Sequence, residues 1–538
     1  MAWYDEAVFY HIYPLGLTGA PKENEYGEPV HRMKQLLPWI SHIKKIGCNA
    51  VYIGPLFESV GHGYETTDYR KLDSRLGTNE DLTEFVDLCH EQGIRVILDG
   101  VFNHTGRDFF AFKDIKENRE QSAYRDWYCN VNFGGNNEYN DGFSYDNWGG
   151  YNLLAKLNQQ NPAVREYLYD SVRMWVKDFH IDGIRLDAAD VLDFTFMQGL
   201  RQLANEVKPY FWLMGEVIHG DYSRWVNEGT LHSVTNYQLH KALYSGHNEH
   251  NYFEIAHTVK RLYEMGGNRA DGMKLYNFVD NHDVERIYTK LNNKAHFFPV
   301  HVFLYTLPGV PSIYYGSEFG IDGKKEKWSD ASLRPALELE DYADAYETNA
   351  CTRLIAALGS IRQHSKALSY GDYRELMLTN RQYAFSRNYQ GISAVVTVNN
   401  DDAPCQFVIG VPAGVYVGGL SGRKIDAANG QMNISLDGNS GDIWLLQTDE
   451  AAEAVEVAET EVKETVEATE EEKKTENQKG IAPVLDLNKP YEDMSVAELQ
   501  AAVLAKLAAN GPVTDQMKRD VAENVYHDSL LNWVKSFR

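Results

Sequence analysis

No apolar run of about 18 residues occurs anywhere in this chain of 538 residues, which excludes a membrane-spanning helix. Cysteine is scarce. The five present, Cys48, Cys89, Cys129, Cys351 and Cys405, are odd in number and widely spaced, which argues against a disulfide framework and against the paired spacings of a zinc site. They read as reduced, mostly packed thiols. Positive charge is also short: 52 Lys and Arg stand against 77 Asp and Glu, for a net charge of -25. That imbalance repels nucleic acid and anionic membrane surfaces, so neither is an expected partner and a neutral ligand is the simplest one. A basic segment leading into an apolar signal core is missing as well, because strand-like sequence begins at Ala7. The cytoplasm is therefore the expected location.

What the chain has in quantity is strand-like sequence in a repeating order. Runs at residues 7–13, 50–55, 95–101, 183–187, 211–217, 232–237, 275–283 and 312–316 each precede a helical pattern. Eight strands alternating with helices predict an α/β fold, a (β/α)8 TIM barrel, with its chemistry at the C-terminal ends of the strands. The barrel is expected over 1–103 and 159–370. Between them the spacing stretches, and Gly- and Asn-rich sequence at 134–142 followed by an aromatic-rich run to Tyr151 predicts an inserted domain over 104–158. Alternating runs such as Ala394-Val-Val-Thr-Val398, broken by Asn429-Gly430, predict a C-terminal antiparallel β domain over 371–447. Residues 448–480 form an acidic linker: from Asp449 to Gly480, twelve acidic residues stand against four basic ones with no aromatics, too polar to pack. The tail, 481–538, carries a capping-box pattern at Ser495-Val-Ala-Glu498 and a break at Asn510-Gly511, the pattern of a helical hairpin. Its apolar stripe of Leu499, Val503, Leu507, Val525, Leu530, Trp533 and Phe537 serves either the hairpin's own seam or docking, as self-association or on a protein partner.

Four of the strand runs end on carboxylates: Arg95-Val-Ile-Leu-Asp99, Ile181-Asp-Gly-Ile-Arg-Leu-Asp187, Phe211-Trp-Leu-Met-Gly-Glu216 and Phe278-Val-Asp-Asn-His-Asp283. An acidic group closing an apolar strand is costly to bury unless it is paired or working. One such ending fits a structural ion pair; four fit a shared acidic site. Two carboxyl groups flanking a glycosidic bond are what its hydrolysis requires. Asp187 suits the nucleophile, because Arg185 two residues earlier faces the same side of the strand and would keep it ionised. Glu216, behind an apolar run, suits the acid. Asp283 suits sugar hydroxyls and developing positive charge. Asp99 is a supporting residue, orienting either Arg185 or the loop and not touching substrate.

In order and wording these stretches, with Gly61-His-Gly-Tyr-Glu-Thr-Thr-Asp-Tyr69 and Pro308-Gly-Val-Pro-Ser-Ile-Tyr-Tyr-Gly316, resemble the α-amylase family, glycoside hydrolase family 13, from about Ala7 to Gln447. The resemblance implies the same three roles for Asp187, Glu216 and Asp283. It also implies that His104 and His282 donate to substrate hydroxyls and that Tyr64 is a platform under the sugar. Trp127 and Trp148 in the inserted segment fit core packing and sugar stacking equally well. Leu153-Leu-Ala-Lys-Leu-Asn158 carries Lys156 where calcium-dependent members have Asp, a form similar to the maltogenic amylase, neopullulanase and cyclomaltodextrin hydrolase branch. There the ammonium, beside Asn103, is expected to replace a calcium ion, so no cofactor is required. The Asn and Asp cluster at Asn136 to Asp141 leaves room for a separate structural calcium in the inserted domain. Members of that branch usually carry an extra N-terminal β domain, which this sequence lacks, so longer linear glucans are expected as substrates.

The expected function is a retaining α-glucan hydrolase acting on α-1,4 bonds of starch fragments, maltodextrins or glycogen. A transglycosylase or sugar isomerase using the same glycosyl-enzyme intermediate is the first rival, separable by products from maltotriose. A non-catalytic carbohydrate-binding relative is the second, which any turnover would remove.

Overall fold

The computed structural model describes residues 2–268, 272–327 and 329–447, together with 490–491, 496–510, 517–518, 521 and 527–536 of the tail. The chain divides into two compact units, 1–451 and 452–538.

The first unit is organised by eight parallel strands: β1 (Phe9–Ile12), β2 (Ala50–Ile53), β3 (Arg95–Gly100), β4 (Gly183–Leu186), β5 (Trp212–Gly215), β6 (Ser233–Val234), β7 (Tyr276–Asn277) and β8 (Val310–Tyr314). They pair in the order β6-β5-β4-β3-β2-β1-β8-β7. A parallel bridge from Thr235 to Tyr276 joins the two ends, and the Asn236 N–H donates to the Tyr276 carbonyl at 2.9 Å. The sheet is thus closed into a barrel. Strands in such a barrel are covered on both faces, which is why they read as apolar runs.

Alternation along each strand assigns the lumen. Its lower layer is aromatic: Phe9 stacks on Trp212 at 5.1 Å and meets Tyr276 edge-on at 5.5 Å. Trp3 and Tyr4 pack beneath, Tyr4 stacking on Trp212 at 5.8 Å. One step higher along the strands the register aligns His11 with Tyr52 and Tyr314, and Asp99 with Arg185. The barrel is therefore plugged at its N-terminal end and polar at its C-terminal end. Helix Pro162–Phe179 shows how the outer ring is specified: Asn161 caps it by accepting the Ala163 N–H at 2.9 Å, Pro162 opens it, and His180 ends it at φ 60°. Its inward face buries Leu168, Val172 and Trp175.

Three strand expectations need correction. The seventh run was expected over 275–283, but only Tyr276–Asn277 pairs. The rest turns aside because its own side chains take backbone donors: Asp280 Oδ2 accepts the Ile287 N–H, and Asn281 Oδ1 accepts those of Asp283 and Val284. The sixth stops at Val234 because Asn236 caps a helix beginning at Tyr237. The eighth starts earlier, at Val310.

Within 104–158 a small sheet joins His104–Thr105, Tyr151–Lys156 and Asn147–Trp148. After the barrel come β9 (Arg374–Leu378), β10 (Gln382–Tyr389), β11 (Ile392–Asn399), β12 (Cys405–Gly410), β13 (Val415–Gly418), β14 (Lys424–Asp426), β15 (Gln431–Leu436) and β16 (Ser440–Leu446). They form an antiparallel sheet ordered β9-β10-β11-β16-β13-β14 and a β12–β15 pair. All five cysteines are free. Among the described residues no helix is long and apolar enough to cross a membrane.

In the second unit, helices Val496–Asn510 and His527–Ser536 bury Leu499, Ala502, Val503, Val521, Leu530 and Val534 in a core of their own, with Leu507 and Trp533 packed against it. The stripe read from the sequence is thus used in the hairpin's own seam. Its members Val525 and Phe537, and the acidic linker at 448–480, lie outside the described residues.

At the N-terminal end of β4, buried Asp182 accepts from His90 Nε2 at 2.7 Å, Lys208 Nζ at 2.8 Å, Arg95 Nη1 at 3.1 Å and the Val96 N–H at 2.9 Å. Burial pushes this carboxyl up, but the bonds from His90, Lys208 and Val96 outweigh it and bring it down to about 2. A carboxylate lowered in the fold stabilises above its unfolded value of about 3.9 and loses that contribution as pH falls toward 2. Asp182→Asn is expected to cost about 2 kcal/mol at pH 7 and much less at pH 2.5. Urea unfolding at the two pH values measures this, and an equal cost at both would contradict it.

Candidate active site

The top of the lumen is built around Arg185. Its Nη1 donates to Asp99 Oδ1 at 2.9 Å, to Asp99 Oδ2 at 3.1 Å and to Asp187 Oδ1 at 2.9 Å, and its Nη2 lies 2.9 Å from Glu216 Oε2. Asp99 ends β3, Asp187 follows β4 and Glu216 follows β5, so three neighbouring strands deliver their carboxylates to one guanidinium. The turn after Asp187 is tight. Ala188 is left-handed at φ 45°, its N–H donates to Glu216 Oε2 at 3.1 Å, and the Ala189 N–H donates to the Glu216 carbonyl at 2.9 Å. Left-handed backbone at a residue other than glycine is strained, and here it holds the ends of β4 and β5 together.

Asp99 is buried beneath the others and also accepts from the Tyr52 hydroxyl at 2.9 Å and from the Tyr64 hydroxyl at 3.4 Å. These bonds hold Arg185 and the two tyrosines to Asp99. Asp283 sits on a second guanidinium, Arg334, with Nη2 at 2.8 Å from Oδ1; His282 Nε2 is 3.1 Å from its Oδ2. The His282 ring is near-parallel to the rings of Tyr13 and Tyr64, at 5.7 Å and 15° from one and 5.7 Å and 16° from the other, and its Nε2 is hydrogen-bonded to the Tyr64 hydroxyl at 2.5 Å. Tyr64 thus joins the Asp99 side of the site to the Asp283 side.

His104 is buried. Its Nε2–H donates to the Tyr64 carbonyl at 3.1 Å, and Asn103 Nδ2 donates to its Nδ1 at 3.2 Å. Burial lowers this imidazole to about 4 against the pull of that carbonyl, so it is neutral at physiological pH. Both ring nitrogens are engaged in this structure, which makes His104 a brace for Tyr64. The two tryptophans separate. Trp148 is 39% exposed with its ring 6.1 Å from His104, whereas Trp127 packs among Phe110, Tyr124 and Tyr167.

The charges divide sharply. Burial pushes Asp187 well above the usual carboxylate range; Arg185 opposes this, and the negative charges of Glu216 and Asp99 add to it. Three carboxylates around one guanidinium leave excess negative charge, which favours a retained proton in the cluster. Arg185 favours the ionised form of Asp187, as expected from the sequence, but burial and the two neighbouring carboxylates act against it. Asp283 goes the other way: burial would raise it, but His282, Arg334 and Arg185 hold it well below the usual range.

Lys156 pairs with His104 in register, and the Leu157 N–H donates to the Asn103 carbonyl at 2.9 Å. Its ammonium partly offsets the upward push of burial on the Cys129 thiol. In the Asn and Asp cluster, Asp141 is held bidentately by Arg107 at 2.7 and 2.8 Å and by Asn137 Nδ2 at 2.8 Å. Among the described residues no group of three or more His, Cys, Asp or Glu gathers in a way that would hold a metal. At Asn136 to Asp141 the Asp141 carboxylate is thus already paired with a cation of the chain itself, Arg107.

Sequence reasoning missed Arg334, Tyr13 and Tyr237. Tyr13 directly follows β1, and Tyr237, 3.4 Å from Glu216 Oε1, follows β6, so the rule that chemistry gathers at strand ends would have found both. Arg334 lies in a loop 51 residues from its partner Asp283, where no local pattern marks it.

The alpha-amylase catalytic domain family matches residues 34–353. A cyclomaltodextrinase from a Bacillus species is 31% identical over 75% of this chain and 74% of its own length. Neopullulanase 2 from Thermoactinomyces vulgaris is 30% identical over 81% of this chain and 76% of its own. A solved cyclomaltodextrinase structure superposes with a TM-score of 0.72 at 26% identity, covering 83% of this chain and 78% of the other.

Because its native value lies above the unfolded one, Asp187 is costly to the fold once it ionises, so stability falls as pH rises through that window. Asp187→Asn is expected to raise the melting temperature at pH 7 by about 2 °C, and by less at pH 4. Calorimetry in which the variant melts lower than the parent at pH 7 would refute this.

Proposed function

The chain belongs to the α-amylase family of glycoside hydrolases, and on that premise we propose that it is a retaining hydrolase of α-1,4-glucosidic bonds in starch fragments, maltodextrins or glycogen, working in the cytoplasm. The observation that carries this reading is the shared guanidinium: Arg185 binds Asp187 and Glu216, the two carboxyl groups that adjoining strands present at one point.

In the proposed reaction Asp187 attacks the anomeric carbon while Glu216 protonates the departing glycosidic oxygen. Water, deprotonated by Glu216, then releases the sugar from Asp187, so two inversions return the α configuration. For this, the proton retained in the cluster must lie on Glu216 and not on Asp187 when the bond breaks. In this structure Arg185 Nη2 and the Ala188 N–H both approach Glu216 Oε2, so the oxygen left to carry the acid's proton is Oε1, beside the Tyr237 hydroxyl. Asp283, kept ionised by its cations, supplies negative charge for an oxocarbenium-like transition state, and with His282 it offers acceptor and donor groups to sugar hydroxyls. Tyr64 and the exposed face of Trp148 give apolar surface for sugar rings. The names of the relatives, cyclomaltodextrinase and neopullulanase, support α-glucans as the substrate class.

Asp187→Asn and Glu216→Gln are each expected to lower maltotriose hydrolysis by about a thousandfold or more while the variants stay folded by circular dichroism. Proton NMR of fresh product from the parent enzyme should show the α anomer first; the β anomer first would overturn double displacement. Products longer than maltotriose would mark transfer to sugar in place of water. Activity is also expected to survive EDTA on the reading that the Lys156 ammonium replaces a calcium ion beside Asn103, a separate structural ion at Asn136 to Asp141 being left open. Loss of activity in EDTA that calcium restores would overturn that.

A further inference from the structure

Tyr64, which joins the two halves of the cleft, is held by its backbone as well as by its hydroxyl. His104 Nε2–H donates to its carbonyl at 3.1 Å, and its own N–H donates to His62 Nδ1 at 3.4 Å. The peptide groups on either side of the ring are therefore each gripped by an imidazole. The turn that folds His62 back onto this N–H runs through Gly63 at φ 100°, where a Cβ would lie 2.7 Å from Pro55 Cγ. Only glycine fits there. The Tyr13 hydroxyl donates to the His62 carbonyl at 2.6 Å, a bond that a side-chain change at position 62 leaves in place.

Glu65 faces the other side of the His62 ring. It is 3% exposed, and burying a carboxylate is costly unless it is paired or working. Among the described residues His62 supplies its polar partners: Nε2 lies 3.1 Å from Oε1, and the His62 backbone N–H donates to Oε1 at 3.4 Å. Both contacts of the ring demand one tautomer. The Tyr64 N–H needs a bare Nδ1, and a carboxylate, which only accepts, needs the hydrogen on Nε2. A second proton on the ring would occupy Nδ1 and abolish the acceptor. The charged and titratable groups that bear on the ring are Glu65 in its own segment, His104 after β3, Asp283 after β7, and Asp330 and Arg334 in the loop after β8. Partial burial lowers the imidazole against the pull of Glu65; Arg334 lowers it further, while Asp283 and Asp330 oppose.

We propose that His62 and Glu65 are positioning residues: the His62 ring, steered by Glu65, holds the Tyr64 N–H while His104 holds the Tyr64 carbonyl, so that the platform offered to the sugar is set before substrate arrives. A surface fixed in advance spares binding the cost of ordering it. The effect on turnover rests on the hydrolase reading above; the grip on the Tyr64 backbone does not. His62 acts through Tyr64.

The test uses the full chain, with His62→Asn and His62→Leu as the informative pair. An asparagine side-chain carbonyl accepts the backbone N–H two residues on and does not titrate, so the Asn variant keeps the grip and the Leu variant loses it. In the parent labelled with 15N histidine, the His62 signals, identified by their loss in the Asn variant, should show protonated Nε2 and bare Nδ1 at pH 7. Amide hydrogen exchange at Tyr64 should be equally slow in the parent and the Asn variant and about tenfold faster in the Leu variant. On maltotriose, kcat/KM should stay within about twofold for Asn and fall about tenfold for Leu. As pH falls through the measured His62 titration, the Asn variant should gain on the parent, since groups common to both cancel in that ratio. A parent with protonated Nδ1 at pH 7 overturns the proposal, whether or not the Leu variant folds. So does a ratio that stays flat through the titration, unchanged Tyr64 exchange in the Leu variant, or equal losses in the two variants. A parent that hydrolyses no α-glucan would sink the proposed function, while the tautomer and the exchange rates still decide the grip on Tyr64.

Discussion

The Arg185 guanidinium, buried with three carboxylates at the mouth of the barrel, is the interaction on which the rest of the site depends. Removing a carboxylate from water costs several kcal/mol, repaid only by close and well-directed donors. Arg185 is shared among Asp99, Asp187 and Glu216, so none has a cation to itself. A lysine ammonium could not replace it, because a planar fork is needed to place Nη1 between two strands while Nη2 reaches a third. The aromatic plug of Phe9, Trp212 and Tyr276 below supports this arrangement by packing the lower lumen, which leaves the polar cluster facing only the C-terminal mouth.

Two guanidiniums of this cleft sort its carboxylates into different roles. Asp283 has a partner in Arg334, which also reaches Asp330 at 3.3 Å, and a second in His282, and it is held toward the charged form. Asp187 shares Arg185 with two rivals, and it is pushed toward protonation. For Asp187 to attack as proposed, that tendency must be overcome by moving the cluster's proton to Glu216. Tyr64 couples the two halves, since its hydroxyl bonds His282 and reaches Asp99 while its carbonyl is fixed by His104.

How much of this was legible in the sequence follows from the range of the forces involved. The carboxylates at strand ends were visible because burial of charge after an apolar run is a local anomaly, and Arg185 because alternation puts it on the same face as Asp187. Period and spacing likewise marked the eight barrel strands. The seventh was over-extended because Asp280 and Asn281 capture nearby backbone donors, a competition that hydrophobic pattern does not register. Arg334 was invisible because its role comes only from a contact across 51 residues. The tail's stripe was visible as a stripe, but whether it turned inward depended on a packing partner, and the second helix supplied it.

Strand β4 isolates the physical rule best, because it carries a carboxylate at either end. Asp182 and Asp187 are both nearly sealed from water, so burial raises both by the same mechanism. At the N-terminal end four donors converge on Asp182, and burial is outweighed. At the C-terminal end Asp187 has one side-chain donor, shared with two other acids, and burial prevails. The difference lies in the supply of donors, and it divides the barrel into an end that stabilises the fold and an end that is costly to it. An acid left short of donors is also one that a bound substrate could reorganise, so the groups proposed to react sit where the fold gains least from them.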